Sequence, residues 1–200
     1  MKNIFVAGLI LLLTSFDNAP GTITDEERKN AIESMLETQQ RVANVIKGLN
    51  KAQLDFKANS DSWSVGECLE HLTISEKVFN QMLKAALEKP ADPSRRSEVK
   101  MSDEQLMAVI TDRGNKVKTS EVFEPTGKYK SHKQSLKAFN KQRKAHIAYM
   151  KSTNDDLRNL YGELPFGTID GYQILWFMSG HTERHVQQME EVMQDANFPK

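Results

Sequence analysis

Five histidines occur in the chain: His71, His132, His146, His181 and His185. Two of them have a spacing that matters. His181 and His185 are four apart, and on a helix that puts their rings on one face, roughly 6 Å from each other. Two imidazoles so placed can share one ion. They fall among Ile174, Leu175, Met178, Met189 and Val192 on the apolar stripe of the last helical stretch, where an unsatisfied polar ring would cost about a few kcal/mol. Neutral imidazole is a good ligand for zinc, nickel, copper or iron, so a metal answers the need. His71, beside Cys68, Leu72, Ser75 and Phe79, is the best third ligand; taken alone it reads better as a core histidine bonded to a backbone or carboxylate group. The stretch from His181 to His185 is not the H-E-x-x-H motif, because Thr182 stands where that motif has its glutamate.

Three protein ligands would leave a coordination position open, the pattern of a catalytic site. Such an ion activates water near neutral pH or presents a thiolate as nucleophile. No catalytic side chain can be assigned from the pattern. Glu67, Glu70 and Glu183 are near the histidines in sequence, where a role behind the ligands or as a base is the weaker reading for each; Glu67 fits the first turn of a helix better than the site. Cys68 is either a small buried residue or, less simply, a fourth ligand or reactive thiol. Trp63 is expected at a helix entrance, and Trp176 and Phe177 in the core near the site. His132 and His146 lack a partner at ligand spacing and are assigned to the surface.

The elements that must position these groups are helices. Thr24 with Glu27 forms a capping-box pattern, followed by Ile32, Leu36, Val42, Ala43, Ile46 and Leu49 at helical spacing. Ser64 with Glu67 opens a second helix over about Val65 to Leu87, ending before Pro90. A long crossover over 90–130 is punctuated by Pro90, Pro93, Gly114, Pro125 and Gly127. It is read as a surface loop, with a lid as the alternative, and holds a short helix from about Asp103 to Thr111. Ser131 to Thr153 reads as a third long helix whose lysines and Arg143 make a solvated basic face. After a break at Pro165 to Gly167, a fourth runs from near Thr168 to about Ala196. No strand is expected. Four long amphipathic segments imply an all-α four-helix bundle with a long crossover between the second and third helices.

Composition narrows the function classes. The chain has 200 residues and a formal net charge of zero, so it lacks the positive field a nucleic-acid surface needs. The single cysteine, Cys68, rules out an intramolecular disulfide. Lys2 followed by the apolar run Ile4 to Leu13 and a polar exit resembles a secretory signal peptide over residues 1–20, shorter than the roughly 20 apolar residues of a membrane span. The expectation is an exported protein, periplasmic or extracellular, with residues 21–200 as its one domain; a retained segment would leave it cytoplasmic.

The stretch Trp63-Ser64-Val65-Gly66-Glu67-Cys68-Leu69-Glu70-His71-Leu72 resembles the W-S/T-x-x-E-x-x-x-H-L signature of the DinB family, the helical-bundle superfamily that includes YfiT-type proteins. The pair His181 and His185, followed by Gln188, resembles the same family's C-terminal motif. The resemblance spans roughly residues 25 to 195. It implies a four-helix bundle that binds one divalent ion, zinc or nickel above all, through His71, His181 and His185. It also implies relatives that act as metal-dependent thiol transferases, a thiol-dependent isomerase or hydrolases. Those thiol-using relatives work in the cytoplasm. Three readings follow: a metal-dependent hydrolase or group transferase with an unknown small-molecule substrate; a non-catalytic module in which the ion staples the bundle; and a homodimer or acidic-partner complex through the basic third helix.

Overall fold

The computed structural model describes residues 22–115 and 118–200; the signal-peptide reading of residues 1–20 lies outside them. Helix starts follow side-chain chemistry. α1 (Asp25–Val45) is capped by Thr24, whose hydroxyl accepts from Glu27 N at 3.1 Å while the Glu27 carboxylate accepts from Thr24 N at 2.6 Å. These reciprocal bonds satisfy backbone N–H groups that a helix end leaves free. The same box opens α2 (Lys51–Asp55) from Asn50, α3 (Val65–Leu87) from Ser64 and α4 (Asp103–Thr111) from Ser102. α5 (His132–Ser152) is capped by Ser131. A hairpin of β1 (Tyr161–Leu164) and β2 (Gly167–Asp170) pairs Tyr161 with Asp170 and Leu164 with Gly167, and leads into α6 (Gly171–Met193), boxed by Asp170 and Gln173.

The four long helices pack in the cyclic order α1, α6, α3, α5, each against two neighbours. The 44 residues from Glu88 to Ser131 cross over between α3 and α5 and carry α4, which lies on α6. Two apolar clusters fill the bundle. One gathers Met35, Phe79, Leu106, Met150, Ile174, Leu175 and Phe177; the other gathers Val42, Val65, Leu69, Leu72, Phe139, Val186 and Met189. Among the described residues no helix is long and apolar enough to cross a membrane.

Four expectations need correction. The hairpin was not foreseen: its strands have only four residues each, and the break at Pro165 to Gly167 is its turn, with Gly167 at φ 135°. α2 has five residues, too few for periodicity to register. Leu36, placed on the apolar face of α1, is 47% exposed. The basic face of α5 loses Arg143, which is fully buried, and His146, read as a surface residue, is 3% exposed. Both turn inward because Glu76 on α3 is there to meet them. The Glu76 carboxylate accepts from Arg143 and faces His146 Nδ1 at 2.9 Å. Burial would push the Glu76 carboxyl up, but Arg143 and His146 outweigh it and hold it below the usual range.

Candidate metal centre

α3 supplies His71 and α6 supplies His181 and His185, and their ring nitrogens lie within 4.8 Å of one another. The site sits where the two apolar clusters meet. Phe79 and Phe177 of one cluster pack on His181, with ring centroids 5.5 and 5.9 Å away. Trp63 of the other lies 4.7 Å from His71 and 6.0 Å from His185. His71 and His185 are buried, and His181 is partly exposed, so the cluster reaches solvent on the His181 side.

Hydrogen bonds fix which nitrogens face inward. His71 Nδ1 lies 2.7 Å from the Phe123 carbonyl. A carbonyl only accepts, so Nδ1 carries the proton and Nε2 presents a lone pair. That Nε2 is 3.1 Å from His181 Nε2 and 3.5 Å from the Ser75 hydroxyl. His185 Nδ1 meets the Gln188 side-chain oxygen at 2.8 Å, which likewise leaves its Nε2 free. Burial lowers the His71 pKa to about 4, and the Phe123 bond offsets it only in part. Burial first, then the neighbouring imidazoles, keeps His181 well below the usual histidine range; burial and His71 do the same for His185.

Two inward lone pairs, on His71 and His185 Nε2, with His181 Nε2 3.1 Å from that of His71, make a neutral nitrogen donor set that fits a divalent cation. Two nitrogens about 2.0–2.1 Å from one ion stand roughly 3.3 Å apart at a tetrahedral angle, close to the 3.1 Å between His71 and His181. A backbone carbonyl on the far nitrogen of His71 is the usual arrangement for a ligating histidine, fixing tautomer and ring orientation.

The other candidates fall elsewhere. Cys68 is fully buried among Leu69, Leu72 and Phe139, its thiol pKa is raised by desolvation, and it is not in the cluster. Glu67 caps α3 and pairs with Lys57 at 3.2 Å. Glu183 pairs with Arg41 at 3.1 Å, pointing away from the histidines as its position implies. Trp176 is not at the site: its Nε1 donates to the Asp103 carbonyl and its ring stacks on Tyr172. His132 pairs with Asp55 at 2.8 Å. Phe123 was not foreseen as a partner of His71, since its role lies in a backbone carbonyl. Trp63 stands against the histidines as well as at the helix entrance.

Comparison with known proteins agrees with this architecture. The DinB superfamily profile matches residues 35–189. The uncharacterized protein YuaE of Bacillus subtilis (strain 168) is 30% identical over 152 residues, covering 74% of this chain and 88% of YuaE. Among solved structures, YfiT from Bacillus subtilis superposes with a TM-score of 0.57 at 16% identity, over 88% of this chain and 91% of that one. It is described as a probable metal-dependent hydrolase with an unusual four-helix bundle topology. The all-α bundle and the sequence matches agree: this chain belongs to the DinB superfamily.

Proposed function

We propose that this protein is a metal-dependent hydrolase or group transferase that works at an open position on one divalent ion held by His71, His181 and His185. The observation that carries the reading is the convergence of three neutral imidazoles from two helices, with the tautomer of His71 set by the Phe123 carbonyl. The description of YfiT as a probable metal-dependent hydrolase supports the reaction class. Zinc or nickel suits an all-nitrogen donor set. When bound, the ion supplies an activated water or thiol and a Lewis acid for the substrate. The chain's own part is to fix the three ligands and to surround them with Trp63, Phe79 and Phe177, which limit water at the reacting centre. Partly exposed His181 marks the side from which a small substrate reaches it. Export through residues 1–20 belongs to the same proposal, and places the reaction outside the cytoplasm.

The test is metal content. Purified protein carries about one ion per chain, and His181→Ala loses it; equal content in both refutes the site. A screen of ester, amide and thiol-transfer substrates, with and without metal, then tests catalysis. The staple reading has one observation in its favour: among the described residues the cluster includes no carboxylate to act as a base. Loss of thermal stability on chelation, with no turnover on any substrate class, would favour it.

A further inference from the structure

Glu70, next to His71 in sequence, does something the metal centre alone does not require. Its side chain accepts from three consecutive backbone N–H groups of the crossover: Thr126 N at 3.3 Å, Gly127 N at 3.1 Å and Lys128 N at 3.0 Å, with the Thr126 hydroxyl at 3.4 Å. Successive backbone amides turned onto one carboxylate form a concave anion cradle, and bonds to an ionised acceptor are stronger than neutral ones. Gly127 at φ 68° supplies the left-handed backbone that such a turn needs. The carboxylate is largely buried, at 9% exposure, so water does not replace these bonds cheaply.

Three residues upstream of this tether is Phe123, whose carbonyl accepts from His71 Nδ1. The Phe123 ring also lies against the rings of His71 and Phe79, at 6.4 and 5.5 Å. One turn of α3 thus holds both ends of a short circuit: Glu70 grips 126–128, and the gripped segment returns at Phe123 to orient His71. We infer that Glu70 is a positioning residue for the metal centre, acting through the crossover to fix the tautomer and ring angle of His71. The crossover is then a working part of the site and not merely a connection. This rests on the metal-site reading above, but the tether itself can be observed without metal.

The experiment compares wild type, Glu70→Gln and Glu67→Gln. Glu67 is a control carboxylate one helical turn from His71 that caps the helix without touching the crossover. Three quantities are read: hydrogen exchange of the Thr126, Gly127 and Lys128 amides; the His71 tautomer from nitrogen-15 shifts of metal-free protein; and zinc affinity by competition with a chelator. Glu70→Gln is expected to speed exchange at those amides tenfold or more, to mix the His71 tautomers, and to weaken zinc about 10–100-fold, the usual effect of losing an outer partner of a ligating histidine. Glu67→Gln leaves all three near wild type. Faster exchange with unchanged tautomer and affinity would make Glu70 a loop anchor only and overturn the inference. If wild type binds no zinc, the metal reading fails, while the tautomer still decides whether Glu70 positions His71.

Discussion

Buried His71 and His185, with the partly exposed His181 between them, should make the metal-free protein unusually sensitive to mild acid. In the unfolded chain each imidazole takes up a proton near its ordinary pKa of about 6.5. In the folded chain His71 holds out to about 4, and His181 and His185 are also depressed. Between those limits the unfolded state binds more protons, so stability falls as pH falls. The stability is fully present above pH 6.5 and is lost progressively down to the folded pKa. For one histidine that stays neutral in the fold, linkage costs about 1.3 kcal/mol between pH 7 and 5.5, so the three together set an upper limit of roughly 4 kcal/mol. That is a large share of the 5–15 kcal/mol typical of a domain. Urea unfolding of the metal-free protein at pH 7.0 and 5.5 measures it directly. His181→Gln, at the partly exposed ligand, should reduce the pH dependence by about a third without remodelling the core. A loss below about 1 kcal/mol for wild type over this range, or no change in slope for the variant, would mean that the rings are hydrated or already protonated, and the account of their burial would fail.

Two other expectations are independent of the metal. Arg143→Met should destabilise by about 3–5 kcal/mol, because it leaves the buried Glu76 carboxylate without its main counter-charge, whereas Arg143→Met with Glu76→Gln should cost clearly less than the sum of the two single changes; additive losses in chemical denaturation would contradict the pairing. If residues 1–20 are an export signal, full-length chain expressed in a bacterium with an intact export pathway yields a periplasmic or secreted product whose intact mass lacks them, and an unprocessed cytoplasmic product would contradict it.

Much of this molecule is legible one residue at a time, and what is not legible shares a cause. Capping boxes depend on residues three apart, so Thr24 with Glu27, Ser64 with Glu67 and Ser102 with Gln105 fix helix starts from the sequence alone. The range Val65–Leu87 follows from such a box and from the stop before Pro90. The pairing of His181 with His185 is also local, while His71 needed the W-S-x-x-E-x-x-x-H resemblance to bring it in from 110 positions away. The residues misread are those whose partners lie on other elements. Arg143 and His146 look like members of a lysine-rich face until Glu76, 67 and 70 positions away, is placed opposite them. Glu70 is noticed only as a neighbour of His71, and its partners stay hidden because they are backbone amides 56–58 positions on. Periodicity reports which face of a helix turns inward; it is silent about which loop returns to it.

If the three histidines hold an ion as proposed, the helix that carries two of them must not rotate, since one turn of misalignment would separate His181 and His185 from His71. α6 is held against rotation at three levels. At its start, buried Asp170 caps the helix and meets Arg158, which also engages Asp103 on α4 and Glu27 on α1. In the middle, Thr182, the first of the three residues between His181 and His185, accepts from Arg143 at 2.6 Å and donates to the Met178 carbonyl at 2.8 Å. Just beyond, Arg184 donates to backbone carbonyls after α4, including that of Asn115 at 2.6 Å. The buried Arg143–Glu76 pair is poorly explained as a source of stability alone, because well-packed apolar residues of similar volume often serve as well. It joins α5 to α3 and to the Thr182 hydroxyl on α6, thus linking both helices that carry the clustered histidines through one guanidinium. Directional bonds of that sort set the rotation of α6 relative to α3 in a way that apolar packing does not, which gives the buried charge a reason to sit beside the histidines.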